Sequence, residues 1–314
     1  MIETHELTKD FDQFRAVDRV SLRVDAGEVL AMLGPNGAGK TTTVRMMTSI
    51  LAPTSGWARV AGFDVVREAE QVRGHVGVLT EQHGLYERMK GLEYLDFFGE
   101  LYGLPRDLRR RRGLELMTRF GLDDALDKRL GDYSKGMKQK LALVRAMLHD
   151  PHVLLLDEPT SAMDPQSAKQ VRDAILDLRR EERTFLITTH NLTEAQLLAD
   201  RIAIIRHGRI IAQGTLDELA QSFVREPVME LRIVGEINGL ADDLRQMVTI
   251  ESVGLNWLQY RTHDPYTTNP RLLARCLELG VQVVTLAQVT QALEDIYLQV
   301  VREDEAQEEA NGHG

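Results

Sequence analysis

The sequence predicts an α/β fold on three observations. Short β-rich apolar runs at 153–156, 185–189 and 202–205 are separated by amphipathic stretches such as 168–180, the pattern of parallel strands buried on both faces with helices between them. A glycine-rich loop lies directly between the apolar run 29–33 and a helical segment at 42–50. A predominantly helical stretch, 92–148, broken near Gly103-Leu104-Pro105 and Gly131, then interrupts the alternation as a separate lobe.

Taken in order, 21–24 and 29–33 read as strands around the turn Asp25-Ala26-Gly27-Glu28, and 59–60 with Gly62 closes a small antiparallel element. The helical lobe follows, and then the three core runs. After about residue 222 the pattern restarts with a strand at 228–234, a helix at 240–247, two strands through 249–261, a helix at 270–279, a strand at 281–286 and a final helix at 289–301. That order is expected of a small split β-α-β sandwich. The reading gives a main domain at 1–220, a small α+β domain at 225–301, and an acidic tail at 302–314 expected to lack structure, because it has no apolar anchors.

Composition narrows the function. The chain has 314 residues, 43% hydrophobic and 27% charged, with 48 acidic against 38 basic side chains. A net charge of −10 disfavours general binding to a phosphate backbone. No run approaches the roughly 20 apolar residues of a membrane span, and the N-terminus is charged from its third residue, unlike a secretory signal. The expected location is therefore cytoplasmic. A single cysteine, Cys276, excludes an intramolecular disulfide and a cysteine-built zinc site. The nine histidines include no HExxH pair and read as scattered surface residues.

The glycine-rich loop carries the chemistry. Gly34-Pro35-Asn36-Gly37-Ala38-Gly39-Lys40-Thr41-Thr42 satisfies GxxxxGK[ST] in its required strand-loop-helix context. Glycines let successive N–H groups point at phosphate oxygens, and the following helix N-terminus adds its positive end. Lys40 neutralises the β and γ phosphates, and the Thr41 hydroxyl is placed for Mg²⁺. At the end of the run 153–156, Asp157 supplies the carboxylate such a magnesium shell needs. Glu158 follows at once, where it can reach a water aligned with the γ phosphate, as general base or polarising group.

With these residues in hand the chain resembles the nucleotide-binding subunit of ABC transporters over roughly residues 2–220. Gln82, in Leu79-Thr80-Glu81-Gln82-His83, is similar to the Q-loop of that family, and Tyr133-Ser134-Lys135-Gly136-Met137 stands in the place of its signature motif. Ser161-Ala162-Met163-Asp164 resembles the D-loop, and His190 in Thr188-Thr189-His190 the switch histidine. The order and spacing of these short motifs is what makes the resemblance specific.

The resemblance implies a P-loop NTPase fold of the ABC type and an ATPase that uses ATP and Mg²⁺. It further implies a head-to-tail dimer, here a homodimer, with ATP sandwiched between the loop of one chain and the signature of the other. Ser134 and Gly136 would then contact the γ phosphate across the interface, Gln82 would sense the metal and the attacking water and couple to a membrane partner, His190 would hold the phosphate or the water, and Asp164 would link the two sites. The signature departs from the usual LSGGQ, with Lys135 and Met137 replacing glycine and glutamine while Ser134 and Gly136 remain.

YSKGM followed by Lys138-Gln139-Lys140-Leu141 is most similar to ATPases of ABC-2-type exporters of drugs and other small hydrophobic cargo. The stretch 293–298 also resembles the end of drug-export ATPases. The expected partner is thus a separate transmembrane permease, with the chain held at the inner face of the membrane and no nucleic acid involved. A soluble relative acting on ribosomes or DNA is the alternative. For the adenine, an aromatic face ahead of the first core strands is a sequence-tolerant platform: Phe11 takes that role, in a position where the family commonly has tyrosine, and Phe14 lies close by as the alternative.

Overall fold

A computed structural model describes residues 1–80, 84–161, 163–179, 182–223, 227–237, 239–289 and 292–312. The chain divides into two compact units, Met1–Leu216 and Asp217–Gly314. The first opens with a long hairpin, β1 (Ile2–Phe11) and β2 (Phe14–Val24), followed by β3 (Val29–Leu33), α1 (Lys40–Met47), β4 (Ser55–Val60), β5 (Phe63–Asp64), α2 (Ala69–His75) and β6 (Val76–Leu79). The helical lobe comes next as α3 (Gly91–Leu101), α4 (Arg106–Arg119) and α5 (Lys135–Met147). The core then resumes with β7 (Val153–Asp157), α6 (Pro165–Arg179), β8 (Thr184–Thr189), α7 (Leu192–Leu198), β9 (Arg201–Arg206) and β10 (Arg209–Gly214).

Two sheets form in the first unit among the described residues. One is antiparallel, in the order β2-β1-β4-β5. The other runs β10-β9-β3-β8-β7-β6, parallel from β9 to β6 with β10 antiparallel at its end. Every residue of β3, β7 and β8 is buried. Their side chains alternate between two apolar layers, as strand periodicity requires. Leu154, Leu156, Phe185 and Ile187 pack with the helical lobe, while Val153, Leu155 and Leu186 pack with α1 and the antiparallel sheet. A large-to-small change at such a position costs about 2–5 kcal/mol.

This topology sets the site. Because β3, β8 and β7 are parallel neighbours, their C-terminal ends lie side by side, and the residues that follow them converge. Those residues are Gly34, His190 and Glu158.

The second unit comprises α8 (Leu216–Phe223), β11 (Val228–Ile233), α9 (Leu240–Leu244), β12 (Thr249–Val253), β13 (Trp257–Arg261), α10 (Pro265–Glu278), β14 (Val283–Gln288) and α11 (Leu293–Gly312). Its sheet, in the order β12-β13-β11-β14, is antiparallel throughout. Leu231, Leu258 and Tyr260 of the sheet share a core with Leu244, Leu272 and Cys276 of α9 and α10. The division falls after Leu216, the first residue of α8, and the sequence reading ends the main domain at residue 220, further along that helix.

The acidic tail also differs from expectation, since α11 continues through Gly312. Leu293, Ile296 and Val300 are buried and anchor its first two turns. Beyond them Glu, Ala and Gln are strong helix formers that extend an existing helix without further packing. Gln299 donates to Glu303 one turn on, at 3.1 Å.

Candidate nucleotide site

The loop between β3 and α1 wraps a cavity of about 380 Å³, lined by residues 36–42 with Phe14, Ala16, Glu158, Ser161 and His190. Two glycines are dictated by space. A Cβ on Gly34 would stand 2.2 Å from the Ile205 carbonyl oxygen, and one on Gly39, where φ is +101°, would stand 2.5 Å from that of Ala16. The loop is pinned at its start by the Gly34 N–H, which donates to the Thr189 carbonyl at 3.2 Å. Lys40, 6% exposed, folds back over its own loop. Its ammonium donates to the carbonyls of Gly34 at 2.7 Å and Pro35 at 3.2 Å and pairs with Glu158 Oε1 at 3.4 Å.

Glu158 is held in a left-handed conformation, with φ at +52°, a position that a non-glycine residue adopts only when its surroundings enforce it. The enforcement comes from β8, where the Thr188 carbonyl accepts from the Glu158 N–H at 3.0 Å. The Thr188 hydroxyl donates to Asp157, which is buried at the end of β7. Glu158 Oε2 lies 2.8 Å from His190 Nδ1, so Lys40, Glu158 and His190 form one connected cluster at the mouth of the loop.

Thr41 and Asp157 fit a magnesium shell in kind. Mg²⁺ takes hard oxygens, commonly one or two from protein with the rest from water and phosphate, and Thr41 lines the cavity while Asp157 is buried at the end of β7. Gln82, expected to contribute to the same shell, lies outside the described residues.

The structure separates the two aromatic candidates. Phe14, not Phe11, lines the cavity. The reason is strand phase, because Phe14 and Ala16 are two apart on β2 and share the face turned to the loop, with Ala16 against Gly39. Phe11 sits across the two-residue turn on β1, where Lys9 Nζ lies 5.2 Å from its ring centroid. Counting by twos along β2 from Ala16 is the signal that would have chosen Phe14.

Ser134 and Gly136 do not line this cavity. Ser134 caps α5, accepting from the Met137 N–H at 3.2 Å, and is exposed with Lys135. Asp164 is exposed too, and accepts from the Gln166 and Ser167 N–H groups at 3.1 and 3.0 Å. Hydrogen bonds from the Ser167 hydroxyl and backbone hold its carboxyl below the usual range. A contact the sequence did not suggest joins these segments: Gln139 Nε2 on α5 donates to the Pro159 carbonyl at 2.8 Å, in the turn just after Glu158.

A second concavity, about 730 Å³, lies elsewhere on this unit and is lined by Ile50, Val78, Phe98, Leu101, Tyr102 and His149, among others. Ile50 and Leu101 are two-thirds exposed there. His149 stacks on Tyr102 with ring centroids 3.8 Å apart, and burial drives its imidazole down to about 4. No described helix is long and apolar enough to cross a membrane.

Comparison with known proteins identifies the family. A family profile described as ABC transporter matches residues 17–161. The chain is 44% identical to the ABC transporter ATP-binding protein NatA of Bacillus subtilis over 66% of its own length and 85% of NatA. It is 37% identical to the daunorubicin/doxorubicin resistance ATP-binding protein DrrA of Streptomyces peucetius, over 98% of this chain and 96% of that one. Among solved structures, an ATP-binding subunit of an ABC transporter aligns with TM-score 0.66 at 30% identity, covering 71% of this chain and 93% of the other. A dimeric cassette, MJ0796, in a post-hydrolysis state with ADP and phosphate, shares the fold with TM-score 0.63 at 22% identity, over 68% and 98% of the two chains.

Proposed function

The chain belongs to the ATP-binding subunits of ABC transporters, in the ABC-2 exporter group, and from that premise we propose that it binds MgATP at the 34–42 loop, hydrolyses it jointly with a second copy, and drives a separate permease that exports small hydrophobic molecules. The observation that carries the reading is the cluster at the loop mouth. Lys40, Glu158 and His190 are linked within 3.4 Å of one another in sequence of contact and face one cavity. Lys40 neutralises the β and γ phosphates, and the loop N–H groups orient them. Thr41 and Asp157 would hold Mg²⁺, which when bound would supply charge neutralisation to the phosphates. Glu158 Oε1 or Oε2 accepts the proton of the attacking water, and His190 fixes that carboxylate and the water's position.

The outward placement of Ser134 and Gly136 supports a shared site. Phosphate donors at the α5 N-terminus lie off this chain's own cavity, where a second copy's nucleotide can meet them. The apolar concavity around Ile50 and Leu101 supports a membrane-protein partner. Exposed apolar side chains in a concave surface mark a contact with another macromolecule. Docking there would place the chain on the inner face of the membrane. The Streptomyces relative's name, daunorubicin/doxorubicin resistance, supports drugs or other small hydrophobic molecules as the cargo class.

The test is affinity purification of tagged Glu158→Gln protein from detergent-solubilised membranes of its source cells with Mg-ATP, followed by mass spectrometry. A stoichiometric polytopic membrane protein is expected, and it should be lost with Leu101→Glu. Recovery only of ribosomal or DNA-bound partners would replace this reading with that of a soluble machine.

A further inference from the structure

Glu194 is a buried acid that the mechanism above does not use. It lies on α7, 2% exposed, and both of its oxygens are taken by hydroxyls. Thr160 Oγ1 donates to Oε1 at 2.7 Å and Thr189 Oγ1 donates to Oε2 at 2.6 Å. Thr160 is two residues past Glu158, and Thr189 immediately precedes His190. One carboxylate therefore ties together the two backbone segments whose side chains meet as Glu158 Oε2 and His190 Nδ1.

Its position makes this arrangement informative. Asn191 caps α7, accepting from the Glu194 N–H at 3.1 Å, so Glu194 is the third helical residue. A glutamate there ordinarily reaches back to the N–H of the capping residue. Here the Thr189 hydroxyl accepts from the Asn191 N–H at 3.0 Å instead, and the carboxylate is freed to span the gap to Thr160. Burial pushes the Glu194 carboxyl up, a cost that the Thr189 and Thr160 hydrogen bonds partly offset. Capping alone does not call for a carboxylate in so dry a place.

We propose that Glu194 is a positioning residue for ATP hydrolysis, bridging the Thr160 and Thr189 hydroxyls so that Glu158 and His190 stay within hydrogen-bond reach of each other. The proposal rests on the assignment of Glu158 and His190 to the reaction. It separates rate from binding, because Glu194 touches neither the loop nor Phe14.

The experiment is steady-state ATP hydrolysis by the full chain, with thermal unfolding as a check on integrity. Glu194→Ala should lower kcat by about ten- to a hundredfold, in the range misplacement of catalytic groups produces, with KM for ATP within about twofold. Glu194→Gln, which can still hydrogen-bond both hydroxyls, should recover much of that rate. The same-size pair Thr160→Val with Thr189→Val should reproduce the loss if Glu194→Ala does not fold. Adding Glu194→Ala to His190→Ala should cost little beyond His190→Ala alone, because both act through one constellation. Unchanged kcat in Glu194→Ala and in the threonine pair, or losses that multiply in the double variant, would overturn the proposal. If Glu158→Gln and His190→Ala themselves turn over normally, the assignment of the site fails instead.

Discussion

The loop cavity and the α5 N-terminus are both built to meet phosphate, yet they stand in opposite conditions. At the cavity, Lys40, Glu158 and His190 are already engaged with one another and with the loop carbonyls. At α5, Ser134 is exposed and its hydroxyl accepts from its own helix at Met137. The first region is pre-organised by the three parallel strands beneath it. The second has its donors in place but off this chain's own cavity, and under the proposed function half of the chemistry falls to a second copy.

The largest expected effect tests the engaged half. Glu158→Gln should reduce hydrolysis by roughly 10²- to 10⁴-fold while ATP binding persists, the range for loss of a general base; single-turnover kinetics with bound ATP would show it, and a normal rate would remove Glu158 from the reaction. The division between halves can then be examined by mixing. Lys40→Ala damages only the cavity, and Gly136→Asp places a like charge only at α5, where a Cβ meets the rotatable Ser167 hydroxyl at 3.1 Å. Each alone should lose activity by about 10²-fold or more. An equal mixture should recover about a quarter of the normal rate, because half the dimers keep one of two composite sites. Failure to recover on mixing would return both halves to one chain.

A smaller effect sharpens the boundary of the cavity itself. Phe14→Ala should weaken ATP binding about 5- to 100-fold, the value of one stacked base, and Phe11→Ala should leave it within about twofold. Isothermal titration with ATP would rank the two, and the reverse order would restore Phe11 as the platform.

How much of this the sequence discloses depends on how far apart the cooperating residues lie. The loop is contiguous from Gly34 to Thr42, so its chemistry can be read residue by residue. Asp157 and Glu158 are legible because charge at the end of an apolar strand has few other meanings. Ser134, Gly136 and His190 are visible only through family resemblance, since their partners lie on other elements or another chain. Phe14, the alternative to Phe11, could not be preferred from the sequence because the phase of β2 is set by its packing on the loop. β1 itself escapes pattern reading, since register shifts after Thr4, Leu7 and Lys9 break its alternation. Glu194 could not be anticipated at all, because its hydroxyl partners come from 34 positions and 5 positions away and meet it only in the folded core.

The amide of Gln139 has a consequence for timing. It fastens the signature helix to the Pro159 carbonyl, in the turn that carries Glu158. In a head-to-tail pair, that helix reads the neighbour's nucleotide while the turn works on the chain's own. In that proposed pair, one hydrogen bond per chain would be the route by which cleavage at one nucleotide is felt at the other.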